Sequence, residues 1–147
     1  TTYNEQSKIY KPTYSGQFVP GNQVYATLVL QAWKNYEINM LDEVRGMLAD
    51  TLTAVMGDGT VLKGKENFLN AIKAYRNSYS LLKVNVAAWL PTKSIDLNKE
   101  TVCIWGLEDG TKTDGTAMRV AVHEVWFFNK DGKVDFFRQY IQPNPQQ

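Results

Sequence analysis

The residues with the most chemical potential sit in "AVHEVWFFNKDGKVDFFRQY", where the sole histidine, His123, adjoins an acid, Glu124, inside a run that otherwise reads as β-strand. Strand side chains alternate between faces, so Val122, Glu124, Trp126 and Phe128 share one side and Ala121, His123, Val125 and Phe127 the other. If the first side is buried, desolvation raises the Glu124 pKa and the carboxyl can donate a proton or a hydrogen bond near neutral pH. The competing role is an ion pair with a nearby Arg or Lys at a pocket mouth. His123 has the right intrinsic pKa for acid–base work, but it joins Glu124 in one site only if a β-bulge intervenes; otherwise it belongs to an outer face. Glu124 is therefore the first catalytic candidate and His123 a weaker second.

The ligand-contact candidates are Tyr75, Tyr36, Trp126, Trp105 and Met56: tyrosines on helix faces that can reach a cavity, and apolar groups suited to its walls. Tyr79 shares the helical stripe of Tyr75. Asp58 sits in a "GDG" turn, where Asp serves its own backbone. Cys103, in "TVCIWGL", reads as a small core hydrophobe. One His and one Cys make no zinc set, and "EDGTKTDGT" lacks the terminal Glu of a calcium loop, so no metal site is expected. Neither a glycine-rich phosphate loop nor a nucleophile elbow is present, and no cofactor is expected.

These residues need a scaffold, and the hydrophobic periods supply one. After "PGN", apolar residues at Tyr25, Leu28, Val29, Ala32, Tyr36 and Met40 mark the longest helix. Asp42 is placed to cap a short second helix bearing Val44, Met47 and Leu48, ending near Asp50. "TLTAVM" and "TVL" around "GDG" form a hairpin. Past Gly64, the residues Phe68, Leu69, Ile72, Tyr75, Arg76 and Tyr79 mark a third helix. Four strands follow: "LKVNVAAWL", "TVCIWGLE", "AMRVAVHEVWFFN" and "KVDFFRQYI". This order predicts an α+β fold, a curved antiparallel sheet with three helices packed on its concave face and enclosing a pocket.

At 147 residues the chain fits one domain. Residues 1–22 read as an extended polar leader, 23–143 as the domain and 144–147 as a tail. Sixteen basic residues against 15 acidic ones, interspersed, give no footprint for nucleic acid or anionic membrane. No stretch approaches the roughly 20 apolar residues that span a bilayer. The leader fits a cytoplasmic protein, or an exported one in which it is a tether after signal removal.

Three stretches, "AWKNYEINMLDEVRGMLAD", "GDGTVLKGKENFLNAIKAYRNS" and "HEVWFFNKDGKVDFFRQY", in this order between about Val24 and Ile141, resemble the nuclear transport factor two-like superfamily, which includes ketosteroid isomerase and the SnoaL-like, polyketide-cyclase-type proteins. The resemblance implies a cone with a deep pocket at its wide end and frequent dimerisation through the outer sheet face. It places Glu124 where ketosteroid isomerase holds a protonated acid, and matches Tyr75 to a tyrosine lining that pocket. The isomerase's base and oxyanion tyrosine fall near Met56 and Ala32, which move no protons. The epoxide-hydrolase version needs an Asp-Arg-Asp set, and Arg119, Asp135 and Arg138 do not form one convincingly.

Two functions follow as expectations. In the first, a small, largely apolar ligand occupies the cone, with Glu124 as the acid of a proton transfer of isomerase, cyclase or dehydratase type. In the second, the cone is a non-catalytic binding or dimerisation module, and Val125, Phe127, Phe136 and Tyr140 form a homodimer interface. A third reading makes the tyrosine-rich leader a partner-binding arm.

Overall fold

The computed structural model describes residues 2–146. Its elements are α1 (Thr2–Ile9), β1 (Phe18–Pro20), α2 (Gln23–Glu37), a 3-10 helix (Leu41–Met47), β2 (Leu48–Val55), β3 (Val61–Lys63), α3 (Lys65–Asn77), β4 (Tyr79–Ser94), β5 (Lys99–Lys112), β6 (Ala117–Phe128) and β7 (Val134–Pro143). The strands form one seven-stranded sheet in the order β1-β4-β5-β6-β7-β2-β3. The α+β class holds: α2, the 3-10 helix and α3 supply the layer over the concave face. One pairing departs from the expected antiparallel pattern, since β2 lies parallel to β7.

The core forms between that face and the helices. Val29 and Trp33 of α2, Leu69 of α3, Leu52 of β2, Ile104 of β5 and Phe137 of β7 all belong to it. The Phe137 ring meets Phe68 at 5.1 Å and Trp126 at 4.9 Å between centroids, both near edge-to-face. The β6–β7 register slips between Phe127 and Phe128, and this lets Val134 and Phe137, three residues apart, both turn inward.

The amino-terminal segment differs from the extended leader expected for residues 1–22. Residues 2–9 are helical, and Phe18–Pro20 add an edge strand to β4, with Phe18 opposite Ser94. Before that strand, the Gly16 N–H donates to Asp96 Oδ2 at 2.8 Å, and the Tyr14 ring stands edge-on to Phe127, 5.7 Å away, on the convex face. Gly21 permits the crossing to α2, because a Cβ there would lie 2.7 Å from the Thr92 backbone. Asn22 then caps α2, its Oδ1 accepting from the Val24 N–H at 2.9 Å.

Asp42 does not cap a second α-helix. It lies in the first turn of the 3-10 helix, where it pairs with Arg45 at 3.0 Å and with Lys73 of α3 at 2.5 Å. Leu48, expected as a helical residue, is instead the first and a fully packed residue of β2. An apolar residue at this spacing suits a helical or a strand face, so period alone does not separate them.

Candidate functional site: a buried acid in the cone

The concave face and the helices enclose a cavity of about 440 Å³. Alternation along β6 puts Val122, Glu124 and Trp126 into its wall, and Glu124 is 7% exposed. Three N–H groups converge on this carboxylate. Trp33 Nε1 of α2 donates to Oε1 at 2.7 Å, Trp126 Nε1 donates to the same oxygen at 3.2 Å, and Gln139 Nε2 of β7 donates to Oε2 at 3.0 Å. Gln139 is the cross-strand neighbour of Glu124, and its amide is oriented by the Gly57 N–H, which donates to its Oε1 at 3.1 Å.

No cation pairs with Glu124 among the described residues' ion pairs. Burial therefore dominates, and the nearby Glu108 charge adds to it. The three N–H bonds act the other way, and the carboxyl is pushed up to about 7. With two bonds on Oε1 and one on Oε2, Oε2 retains an open lone pair. That oxygen carries the proton in the neutral form.

Trp33 occupies its position because β5 makes room. A Cβ on Gly106 would lie 2.5 Å from the Trp33 ring and 2.7 Å from the Asn85 carbonyl oxygen. The inward set of β5 is Val102, Ile104, Gly106 and Glu108, and this overturns the expectation for Trp105. Trp105 pairs in register with His123 and stacks on it from the convex side at 4.6 Å, so it is not a cavity wall.

His123 is on that outer face too. Its ring lies between Trp105 and Tyr140, and Nδ1 is 3.1 Å from the Ile104 carbonyl, which only accepts, so Nδ1 carries the hydrogen. The β6–β7 bulge lies four residues beyond it and leaves the strand faces at Glu124 unchanged. His123 and Glu124 are not brought together.

Met56, Tyr36, Tyr75 and Trp126 do line the cavity, as does Asp58 at its rim. Asp58 Oδ1 accepts from the Thr60 N–H at 2.9 Å, which holds its carboxyl below the usual range; this is a turn role. Tyr75 is 42% exposed and its hydroxyl lies 3.1 Å from that of Tyr79. The acid–arginine–acid set is absent among these residues: Arg119 binds Asp109 at 2.7 Å on the surface, and Asp135 is held by Lys99 at 2.6 Å. Among the described residues no group of three His, Cys, Asp or Glu is arranged to hold a metal ion.

Sequence reasoning passed over Glu108, Trp33 and Gln139. Glu108 is 8% exposed, lines the cavity and is raised by burial, against the lowering effects of the Tyr36 hydroxyl, Lys112 and Arg76. The same alternation that singled out Glu124 picks out Glu108, an acid ending an otherwise apolar inward row. Arg76, itself buried, fixes this end by donating to the Tyr36 and Glu37 carbonyls at 2.9 and 2.8 Å, which closes the carboxyl end of α2.

A scan against protein-family models finds no match, and neither does a comparison with curated proteins. Solved structures do match. An NTF2-like protein of unknown function from Exiguobacterium superposes with a TM-score of 0.66 at 16% identity, over 81% of this chain and 99% of that one. An LEH-like epoxide hydrolase of M. tuberculosis gives 0.63 at 13%, over 80% and 82%. SalBIII, an epoxide hydrolase/cyclase-like enzyme described in pyran ring formation in the polyether salinomycin, gives 0.65 at 14%, over 82% and 92%. The chain thus has the nuclear transport factor two-like fold.

Proposed function

We propose that the chain binds a small, largely apolar ligand bearing an oxygen, and that Glu124 holds or transfers a proton at that oxygen, in chemistry of isomerase, cyclase or dehydratase type. The observation that carries this reading is a carboxyl buried without a cation, with three neutral N–H donors and an open lone pair on Oε2. Near neutrality such a group exists in both protonation states, the condition for efficient general acid–base action. The neutral form donates to a carbonyl or ether oxygen; the anion takes a proton back. Epoxide-hydrolase chemistry, the activity of one similar fold, finds less support, since the arginine and aspartate it would use are engaged outside the cavity.

Binding of benzophenone and of diphenylmethane, which lacks the carbonyl, tests this. The ketone binds more tightly, shifts the indole N–H signals of Trp33 and Trp126, and loses affinity as pH rises through 7; Glu124→Gln abolishes that loss. Equal affinities with no pH dependence overturn the reading.

The exposed Trp105 and Tyr140 on the convex face support a second proposal, a homodimer through that face. Tyr14 already covers Phe127, one of the residues expected at that interface, so contact would centre on the Trp105–His123–Tyr140 stack. Sedimentation as a monomer at high concentration contradicts it.

A further inference from the structure

The cavity has a second polar end that the Glu124 reading leaves unused. Glu108 faces Val120 across the β5–β6 ladder and Glu124 faces Ile104, so their backbone positions are four steps apart along the ladder, about 13 Å of strand at ~3.3 Å per residue. Apolar Val122 lies between them on the same face, and Ile72 and Val84 also line the cavity. The Tyr36 hydroxyl is beside Glu108, and burial, the Glu108 charge and the contact of the hydroxyl with that carboxyl raise its pKa, so it remains a donor. That contact falls short of good hydrogen-bond geometry, and the buried hydroxyl has no better-placed acceptor among the described residues.

A buried hydroxyl without a partner is costly. The neighbouring polar groups are engaged elsewhere: Tyr75 with Tyr79, Arg76 with backbone carbonyls, and Lys112 with Ser78 Oγ at 3.0 Å and over the Tyr79 ring at 4.1 Å. Tyr36 and Glu108 are left with hydrogen-bonding capacity on the cavity side.

Building on the proposed function, we infer that the cavity takes a two-ended ligand: an apolar body with one oxygen met by Glu124 and, at its far end, a hydroxyl that accepts from Tyr36 and pairs with Glu108. A hydroxyl suits both states of Glu108, since it donates to the carboxylate or accepts from the acid while accepting from Tyr36 either way. An ammonium offers Tyr36 no acceptor, and a purely apolar end leaves Tyr36 and Glu108 with only their poorly aligned contact.

Calorimetric titration of the full chain at pH 6 with benzophenone and chalcone, each with and without a 4-hydroxyl, tests the inference at two spans. The hydroxyl is expected to raise affinity about 5- to 10-fold in at least one pair. Tyr36→Phe and Glu108→Gln each reduce that ratio below about twofold, and Tyr36→Phe changes the melting temperature little, because the contact of its hydroxyl with Glu108 lacks good hydrogen-bond geometry. No gain in either pair, or a gain that survives both substitutions, overturns the two-ended ligand and leaves the Glu124 reading standing. Failure of all four compounds to bind overturns both.

Discussion

The two faces of β6 treat adjacent polar residues in opposite ways. On the concave side Glu124 is sealed under two indoles and an amide and holds its proton to about pH 7. One residue away, His123 is stacked between Trp105 and Tyr140 on a face where both of those rings are partly open to solvent. The difference lies in what covers each face. Trp33 of α2 covers Glu124 from the helical side, whereas His123 is flanked by Trp105 and Tyr140, 38% and 52% exposed. A strand thus separates two neighbours that look like an acid–base couple, and burial is what lifts the Glu124 carboxyl toward neutrality.

Substitutions on the two faces sharpen this contrast. Trp126→Ala removes a 4%-exposed indole and a Glu124 donor and is expected to cost about 4 kcal/mol in denaturant unfolding, against about 1 kcal/mol for Trp105→Ala. Equal losses would erase the distinction. A pH effect comes next. The folded state keeps the Glu124 proton to about pH 7, while an unfolded glutamate releases it near pH 4.3. Between those values the native state binds more protons, so stability falls as pH rises, by roughly 4 kcal/mol. Glu124→Gln removes that component of the slope, read from melts across pH 4–8, although its amide faces the Gln139 donor and gives up one hydrogen bond. A wild-type slope unchanged by the substitution would place the titration elsewhere.

Smaller effects test the supports. Gly106→Ala drives a methyl into the Trp33 ring and should cost about 2 kcal/mol while shifting the Trp33 indole N–H signal. His123→Ala should cost under about 1 kcal/mol and leave ketone affinity unchanged. A drop in affinity there would return the histidine to the site.

Some of this was legible in the residues. Period-two patterning placed Val122, Glu124, Trp126 and Phe128 on one face, and the order of helices and strands gave the α+β cone. Applied equally to "TVCIWGLE", the same pattern assigns Glu108 inward and Trp105 outward; position along the strand, not aromatic character, sets the face that Trp105 occupies. Trp33 required knowing that Gly106 packs directly against its ring, a long-range contact that helical period does not encode. The same holds for Gln139 opposite Glu124, for the bulge after Phe127 and for β2 lying parallel to β7, since each depends on strand register. Three residues, Phe18–Pro20, are too few to show a strand period, and their pairing with β4 is set by the edge they meet.

Carbon-13 titration of the side-chain carboxyls of glutamate-labelled protein, with Glu124 assigned by its loss in Glu124→Gln, tests the central claim most directly. A midpoint near 7 is predicted; a midpoint near 4.3, the value of a solvated glutamate, would contradict it.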